Sequence, residues 1–507
     1  MSQKEVRVRF APSPTGGLHL GGIRTVVFNY LFARHHNGKF ILRIEDTDQT
    51  RFVPGAEEYI FDCLDWCGLV PDESVRHGGQ FGPYKQSERK ELYRQYALQL
   101  VAQGHAYYAF DSAEELEAMR LNLKTAENPS PQYDKTTRMQ MRNSLSLDQE
   151  EVQRLIAEGV PYVIRLNVPG NETVSFTDMI RGPISYDTNV VDDKVLLKSD
   201  GMPTYHLAVV VDDHLMEISH AFRGEEWLPS APIHLLLWKY LGWEAEMPEW
   251  AHLPLILKPD GNGKLSKRDG ERLGFPVFAM DWQDPNSGEV TVGFKERGFL
   301  PEAFVNLLAV LGWNDGTEQE LYTIDELCEK FTMDRVHKGG AKFDYEKAKW
   351  FNHQYIQKAD NERLAQMAAP YFEATGIFTT QEELVQAIRM VKERCHLLSD
   401  FVEQAGFLFA APQTVDTESI RGKWSPEKTA FFLSWSEQLG QTEWNAASIE
   451  QSFTDAVTAA RLKKGEVMLP LRIMLVGGKF GPGVFDIAAF IGKEATQARI
   501  ADALGQL

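Results

Sequence analysis

Two stretches of this chain hold residue types suited to a polyphosphate. APSPTGGLHLGG, residues 11–22, lets backbone amides approach an anion closely, and the helix expected after it adds its positive N-terminal end. Within it His19, beside Gly21 and Gly22, is placed to donate hydrogen bonds to phosphate oxygens as charge builds in a transition state. That is electrostatic stabilisation, not nucleophilic attack. The residue order fits neither G-x-x-x-x-G-K-[ST] nor G-x-G-x-x-G, which argues against γ-phosphate hydrolysis and against dinucleotide binding. KLSKRDG, residues 264–270, sets Lys264, Lys267 and Arg268 within five positions, with Ser266 adding a hydroxyl. Gly261, Gly263 and Gly270 around it predict a mobile loop able to close over a polyanion. Taken singly, the first stretch is equally a turn with a surface histidine and the second a solvated basic run. Together they make a clamp for a leaving pyrophosphate.

The elements around these stretches form a β-loop-α-β unit. Val6 to Phe10 reads as a strand, Pro and Gly break it, Ile23 to His36 has helical spacing, and FILRIED after the Asn37-Gly38 turn reads as a buried strand delivering Glu45 and Asp46. In open α/β sheets ligands bind beyond the carboxyl ends of the strands, so the loop and the two carboxylates should share one crevice. From about Ser112 to Asp187 charged helices and short strands suggest an insertion; TYHLAVVVDDH then reads as a returning parallel strand ending in Asp212 and Asp213. LPSAPIHLLLWKYLGW reads as a helix, and beyond Pro301 the periodicity is helical.

The remaining composition narrows the class. The chain has 507 residues, 43% hydrophobic and 25% charged, as in soluble modular proteins, and a net charge of −19 that argues against charge-driven binding to nucleic acid or anionic membrane. A nucleic-acid partner would have to meet local clusters such as RLKKG at 461–465 or MVKER at 390–394, each of which reads equally as a solvated helix face. MSQKEVRVRF shows no targeting pattern, no apolar run reaches the roughly 18 residues of a spanning helix, and membrane association is not expected. A cytoplasmic location follows as the expectation. Cys63, Cys67, Cys328 and Cys395 are too few for a disulfide framework, and Cys63 with Cys67 reads as helix packing.

PSPTGGLHLGG with KLSKR resembles the paired signatures of class I aminoacyl-tRNA synthetases, the first as H-x-G-H with Gly22 in the last histidine place. RFAPSPTG, FILRIEDTDQTR, GPYKQSER, PTYHLAVVVDDHLM and AFRGEEWLPSAP are similar to the bacterial-type glutamyl branch, from about Val6 to Gly312 and more loosely to the end. The resemblance implies activation of L-glutamate with ATP and Mg²⁺ and transfer to tRNA(Glu). His19, Lys264 and Lys267 take the catalytic roles; Gly21, Gly22, Glu226, Leu265, Ser266, Lys267 and Arg268 contact ATP. Arg9 and Arg223 read the glutamate carboxylates, Glu45 the ammonium, and Ala11, Ser13 and Tyr205 complete that pocket. Planar guanidinium groups suit bidentate carboxylate recognition.

The implied fold is α/β: a split Rossmann-type catalytic domain (1–111 and 191–255) with an inserted α+β acceptor-binding domain (112–190). A connecting region (256–330) and two all-α anticodon-binding bundles (331–385 and 386–507) follow. The protein is expected to act as a monomer. Three departures stand out. AYYAFDSAEEL has no Cys where some relatives bind zinc, so no zinc is expected; 272–294 is longer than usual; and Val209 stands where relatives often have Asn. The competing readings are a paralogue that glutamylates a tRNA base and a non-catalytic tRNA scaffold.

Overall fold

The computed structural model describes residues 5–507, with the side chain of Lys267 outside the described part. It divides into two compact units. One runs to Phe294 and includes Phe304–Asp344; the other joins Lys295–Ala303 to Tyr345–Leu507.

The first unit begins with β1 (Arg7–Phe10), buried at every position as a central strand must be. α1 (Leu20–His35) and β2 (Lys39–Leu42) follow, and β2 pairs parallel to β1 with Val8 opposite Phe40. The turn between them places Asn37 at φ 52° and packs Gly38 so closely that a Cβ would lie 2.1 Å from the Val6 carbonyl oxygen. The chain continues through α2 (Ala56–Cys67), α3 (Lys90–Ala102), β3 (Ala106–Ala109), α4 (Ala113–Leu123) and α5 (Gln149–Ala157). β4 (Val163–Leu166), β5 (Thr173–Asp178), β6 (Gly182–Asp187) and β7 (Val195–Leu197) come next, then α6 (Tyr205–Leu215), β8 (His220–Gly224), α7 (Ala231–Tyr240) and β9 (Glu249–Leu253). The main sheet has the order β2-β1-β8-β9-β5-β6, parallel except for the β5–β6 hairpin. Strand order reverses between β1 and β8, which opens a crevice above their carboxyl ends.

Three features differ from the sequence expectation. TYHLAVVVDDHL is the helix α6, not a strand. Its apolar run is buried on all sides, so it carries no two-residue or four-residue period, and its last turn inserts Asp212 and Asp213 into the core. The segment 112–190 is shared between sheets. β5 and β6 extend the main sheet from β9, while β4 lies between β3 and β7, both outside that range, in a three-stranded antiparallel sheet. β5 alternates exposed and buried residues, as suits a strand with one solvated face. Finally, the lysine stretch is structured: β10 (Ile256–Leu257) leads into it, α8 (Lys267–Leu273) starts inside it, and β11 (Trp282–Gln283) and β12 (Val290–Thr291) form a hairpin in the 272–294 excursion.

The second unit is helical and shares one core, in which Phe432, Trp435, Phe453, Leu471 and Ile487 are fully buried. Helix Gln381–Val391 crosses position 385 unbroken, burying Leu384, Ala387, Ile388 and Val391. Residues 331–344 belong to the first unit. Of the basic clusters, Lys392 donates to the Ala359 carbonyl and to Asn361, and Lys464 pairs with Glu450 at 2.9 Å, so both charges already have partners.

Candidate active site

A cavity of about 1070 Å³ opens over the carboxyl ends of β1, β8 and β9. Arg9, Ala11, Ser13, His19, Gly21, Gly22, Glu45, Tyr205, Arg223, Glu226, Lys264, Leu265 and Ser266 all line it. Arg268 sits exposed on α8 outside the lining, and the Lys267 side chain lies outside the described residues.

On one side of the cavity, His19 is the N-cap of α1: its Nδ1 accepts from the Gly21 amide at 3.3 Å. A cap that accepts through Nδ1 puts the ring proton on Nε2, and that atom is buried with no hydrogen-bond partner among the described residues. Burial, aided by the nearby Lys264 charge, pushes the imidazole down to about 4, so it is neutral at physiological pH. The loop is backed by the 272–294 excursion, for which the sequence suggested no use. The Leu20 amide donates to the Val277 carbonyl at 2.9 Å, His19 bridges to Phe278, and a Cβ on Gly17 would lie 2.9 Å from Trp282 Cγ. Gly17 is thus a close-approach glycine that lets Trp282 support the loop.

Lys264, expected as a catalytic group, and Glu226, expected as an ATP contact, form a pair at 2.6 Å. Ser266 is the N-cap of α8, its hydroxyl donating to Asp269 Oδ2 at 2.5 Å. Leu265 is buried beneath them.

On the opposite side the cavity rests on a layer of buried ions that the sequence reading missed. Arg9 Nε donates to Asp213 Oδ1 at 3.0 Å, and Arg43 reaches Asp213 at 2.9 Å and Glu45 at 3.0 Å. Asp212 accepts from Arg89 at 2.7 Å and from Gln86 and Tyr93 at 2.8 Å each. Arg9 and Glu45 are therefore ion-paired members of a framework and not isolated ligand groups. Three guanidinium groups face three carboxylates, as buried charges require. Burial pushes the Glu45 carboxyl above its ordinary range, against the pull of Arg43 and Arg9.

Arg223 sits at the end of β8. Its Nε donates to His252 at 3.0 Å and its Nη1 to Tyr205 at 3.2 Å and His234 at 3.0 Å, while Nη2 is buried without a partner among the described residues. Arg24, also unforeseen, lines the cavity from α1, bonded to the carbonyls of Pro254 and Leu311. Among the described residues no three His, Cys, Asp or Glu side chains converge as metal ligands, and no helix is long and apolar enough to cross a membrane.

Residues 5–350 match the model for the catalytic domain of class I tRNA synthetases (E and Q), and residues 363–504 match an anticodon binding domain. The chain is 52% identical to the glutamate–tRNA ligase of Porphyromonas gingivalis over 99% of its own length and 98% of that protein. It is also 52% identical to the glutamate–tRNA ligase of Flavobacterium psychrophilum, covering 99% of this chain and 100% of that one. Its fold superposes with a TM-score of 0.94 on the crystal structure of a glutamate tRNA ligase from Elizabethkingia meningosepticum in complex with its amino acid, at 46% identity over 99% and 100% of the two chains. With its parallel main sheet, its crevice at the strand reversal and its match to an anticodon binding domain, the chain belongs to the glutamate–tRNA ligase family of class I tRNA synthetases.

Proposed function

We propose that the cavity binds ATP and L-glutamate together, joins them as glutamyl-adenylate, and transfers the glutamyl group to the 3′ end of tRNA(Glu). A substrate carboxylate oxygen attacks the α-phosphorus and pyrophosphate leaves; a terminal ribose hydroxyl of the tRNA then attacks the acyl carbon and AMP leaves. Neither step needs an enzyme nucleophile, so positioning and charge stabilisation carry the catalysis.

The observation that carries this reading is a pair of buried donors in one cavity, His19 Nε2 and Arg223 Nη2, both without a partner among the described residues. The first suits a phosphate oxygen of ATP, the second a carboxylate of glutamate. Gly21 and Gly22 allow the phosphates close to α1, Lys264 leaves Glu226 for the departing pyrophosphate, and Lys267 and Arg268 add charge from the start of α8. Leu265 and Ser266 hold that segment in place. Arg9 and Glu45, poised by their ion pairs, take the α-carboxylate and ammonium, with Ala11, Ser13 and Tyr205 as walls. Mg²⁺ fits as an ion carried chiefly by the phosphates and water, which matches a cavity without a dedicated ligand cluster among the described residues; bound there, it neutralises phosphate charge. The enzyme is read as a cytoplasmic monomer, with residues 112–190 holding the acceptor end and the helical second unit the anticodon.

The base-glutamylating reading is disfavoured by the anticodon-domain match over 363–504. Transfer of labelled glutamate to tRNA separates the two. The label should be lost when the tRNA's terminal ribose diol has been oxidised beforehand. Labelling that survives this oxidation contradicts charging and favours base modification.

A further inference from the structure

Arg223 is held by acceptors only, and the polarity of its two histidine acceptors is set by groups behind them. The Asp178 carboxylate, fully buried at the end of β5, receives the Ile180 and Arg181 amides on Oδ1, each at 3.0 Å. Its Oδ2 takes the His252 amide at 3.0 Å and His252 Nδ1 at 2.6 Å. Burial works against the Asp178 charge, but the His252 contact and the two turn amides hold the carboxyl below its ordinary range, so it remains an acceptor. His252 Nδ1 must then carry the proton, and Nε2 presents a lone pair to Arg223 Nε at 3.0 Å. On the other side of the guanidinium, His234 Nδ1 accepts from Nη1 at 3.0 Å, which leaves its Nε2 hydrogen for His206 Nδ1 at 3.3 Å. Burial pushes His234 far below the usual range and His206 down to about 4, which keeps both rings neutral. Tyr205 Oη accepts from Nη1 at 3.2 Å, so its own hydrogen is available to a ligand acceptor.

We propose that Asp178, His252 and His234 are positioning residues that determine specificity: His252, oriented by Asp178, and His234 accept from Arg223 on two sides, which leaves Nη2 and the Tyr205 hydroxyl as hydrogen donors for a side-chain carboxylate of the amino acid and offers no histidine acceptor to an amide. This rests on the reading of Arg223 as a glutamate-binding residue. A carboxylate satisfies donors with both oxygens, whereas the amide of glutamine brings its own donor against them and leaves a buried group unpaired. The polarity originates at Asp178, a residue of the strand that extends the main sheet past β9.

Glutamate KM, ATP KM and the preference for glutamate over glutamine, measured in tRNA charging, test this in three variants. Arg223→Ala should raise glutamate KM sharply. His252→Phe, which keeps a ring but no acceptor, should raise glutamate KM and lower the glutamate preference on the order of tenfold to a hundredfold, with ATP KM unchanged. His252→Gln, which restores an acceptor oxygen, should recover most of the loss. Should His252→Phe fail to fold, His234→Leu removes the other acceptor and is read in the same way. If Arg223→Ala impairs glutamate binding while a folded His252→Phe keeps wild-type KM and preference, the positioning role is overturned and the Arg223 assignment stands. If Arg223→Ala leaves glutamate KM unchanged, the assignment itself falls, and the positioning role with it.

Discussion

Replacing Asp212 by alanine is expected to destabilise the protein by about 3–5 kcal/mol, the range seen when one partner is removed from a buried ion pair. Asp212 is fully buried in the last turn of α6, where it accepts from Arg89, Gln86 and Tyr93 and lies 3.7 Å from Arg43. Alanine removes the acceptor but leaves Arg89 and Arg43 buried and charged. Asp212→Asn keeps the volume and part of the hydrogen bonding, so its loss should be smaller. Because Arg43 also reaches Glu45 and Asp213, and Asp213 holds Arg9, the damage should extend to glutamate binding. Urea denaturation with glutamate KM on the same samples checks both effects. An unchanged midpoint for the alanine variant would show that the ion layer is not integral to the fold.

The second large effect is expected at His19. His19→Ala should slow adenylate formation on the order of 10²–10³-fold, as does loss of a single donor aimed at developing charge, with glutamate KM little changed. Alanine also removes the α1 cap, which costs about 1 kcal/mol of stability. His19→Asn separates the two roles, since its amide oxygen caps and its nitrogen still donates; it should regain the stability and part of the rate. The pH dependence has a definite sign. With the folded ring lowered from 6.5 to about 4, the unfolded chain binds the extra proton between those values. The stabilisation from a neutral buried His19 is therefore present above pH 6.5 and is lost as pH falls toward 4. Thermal melts of wild type and His19→Asn across this range show the difference directly, and parallel profiles would contradict burial of the ring.

The first β-loop-α-β unit was legible because its signals are local: an alternating strand, a break rich in Pro and Gly, and helical spacing all within about 40 residues. The Gly- and Pro-rich loop and the lysine stretch stand out in the sequence for the same reason, and the structure brings residues of both to one cavity. α6 was misread because LAVVV is apolar on every side and has no period to distinguish helix from strand. The ion layer was hidden for a different reason. Arg9 and Asp213 meet across 204 residues, and nothing local to RVRF or VDDH says that one will neutralise the other. His252 and Asp178 escaped notice in the same way: each looks ordinary in its own strand, and their shared task at Arg223 exists only once β5, β8 and β9 are adjacent. Trp282 had no legible role because its partner, Gly17, carries no side chain to suggest a contact.

Exchange of labelled pyrophosphate into ATP with glutamate or glutamine, in the presence and absence of tRNA, shows whether this cavity activates glutamate. The resemblance to the glutamyl branch implies that tRNA is required for activation, so exchange is predicted with glutamate and tRNA together, and not with glutamine. No exchange from folded protein under any of these conditions, or equal exchange with both amino acids, would show that the cavity does not selectively activate glutamate.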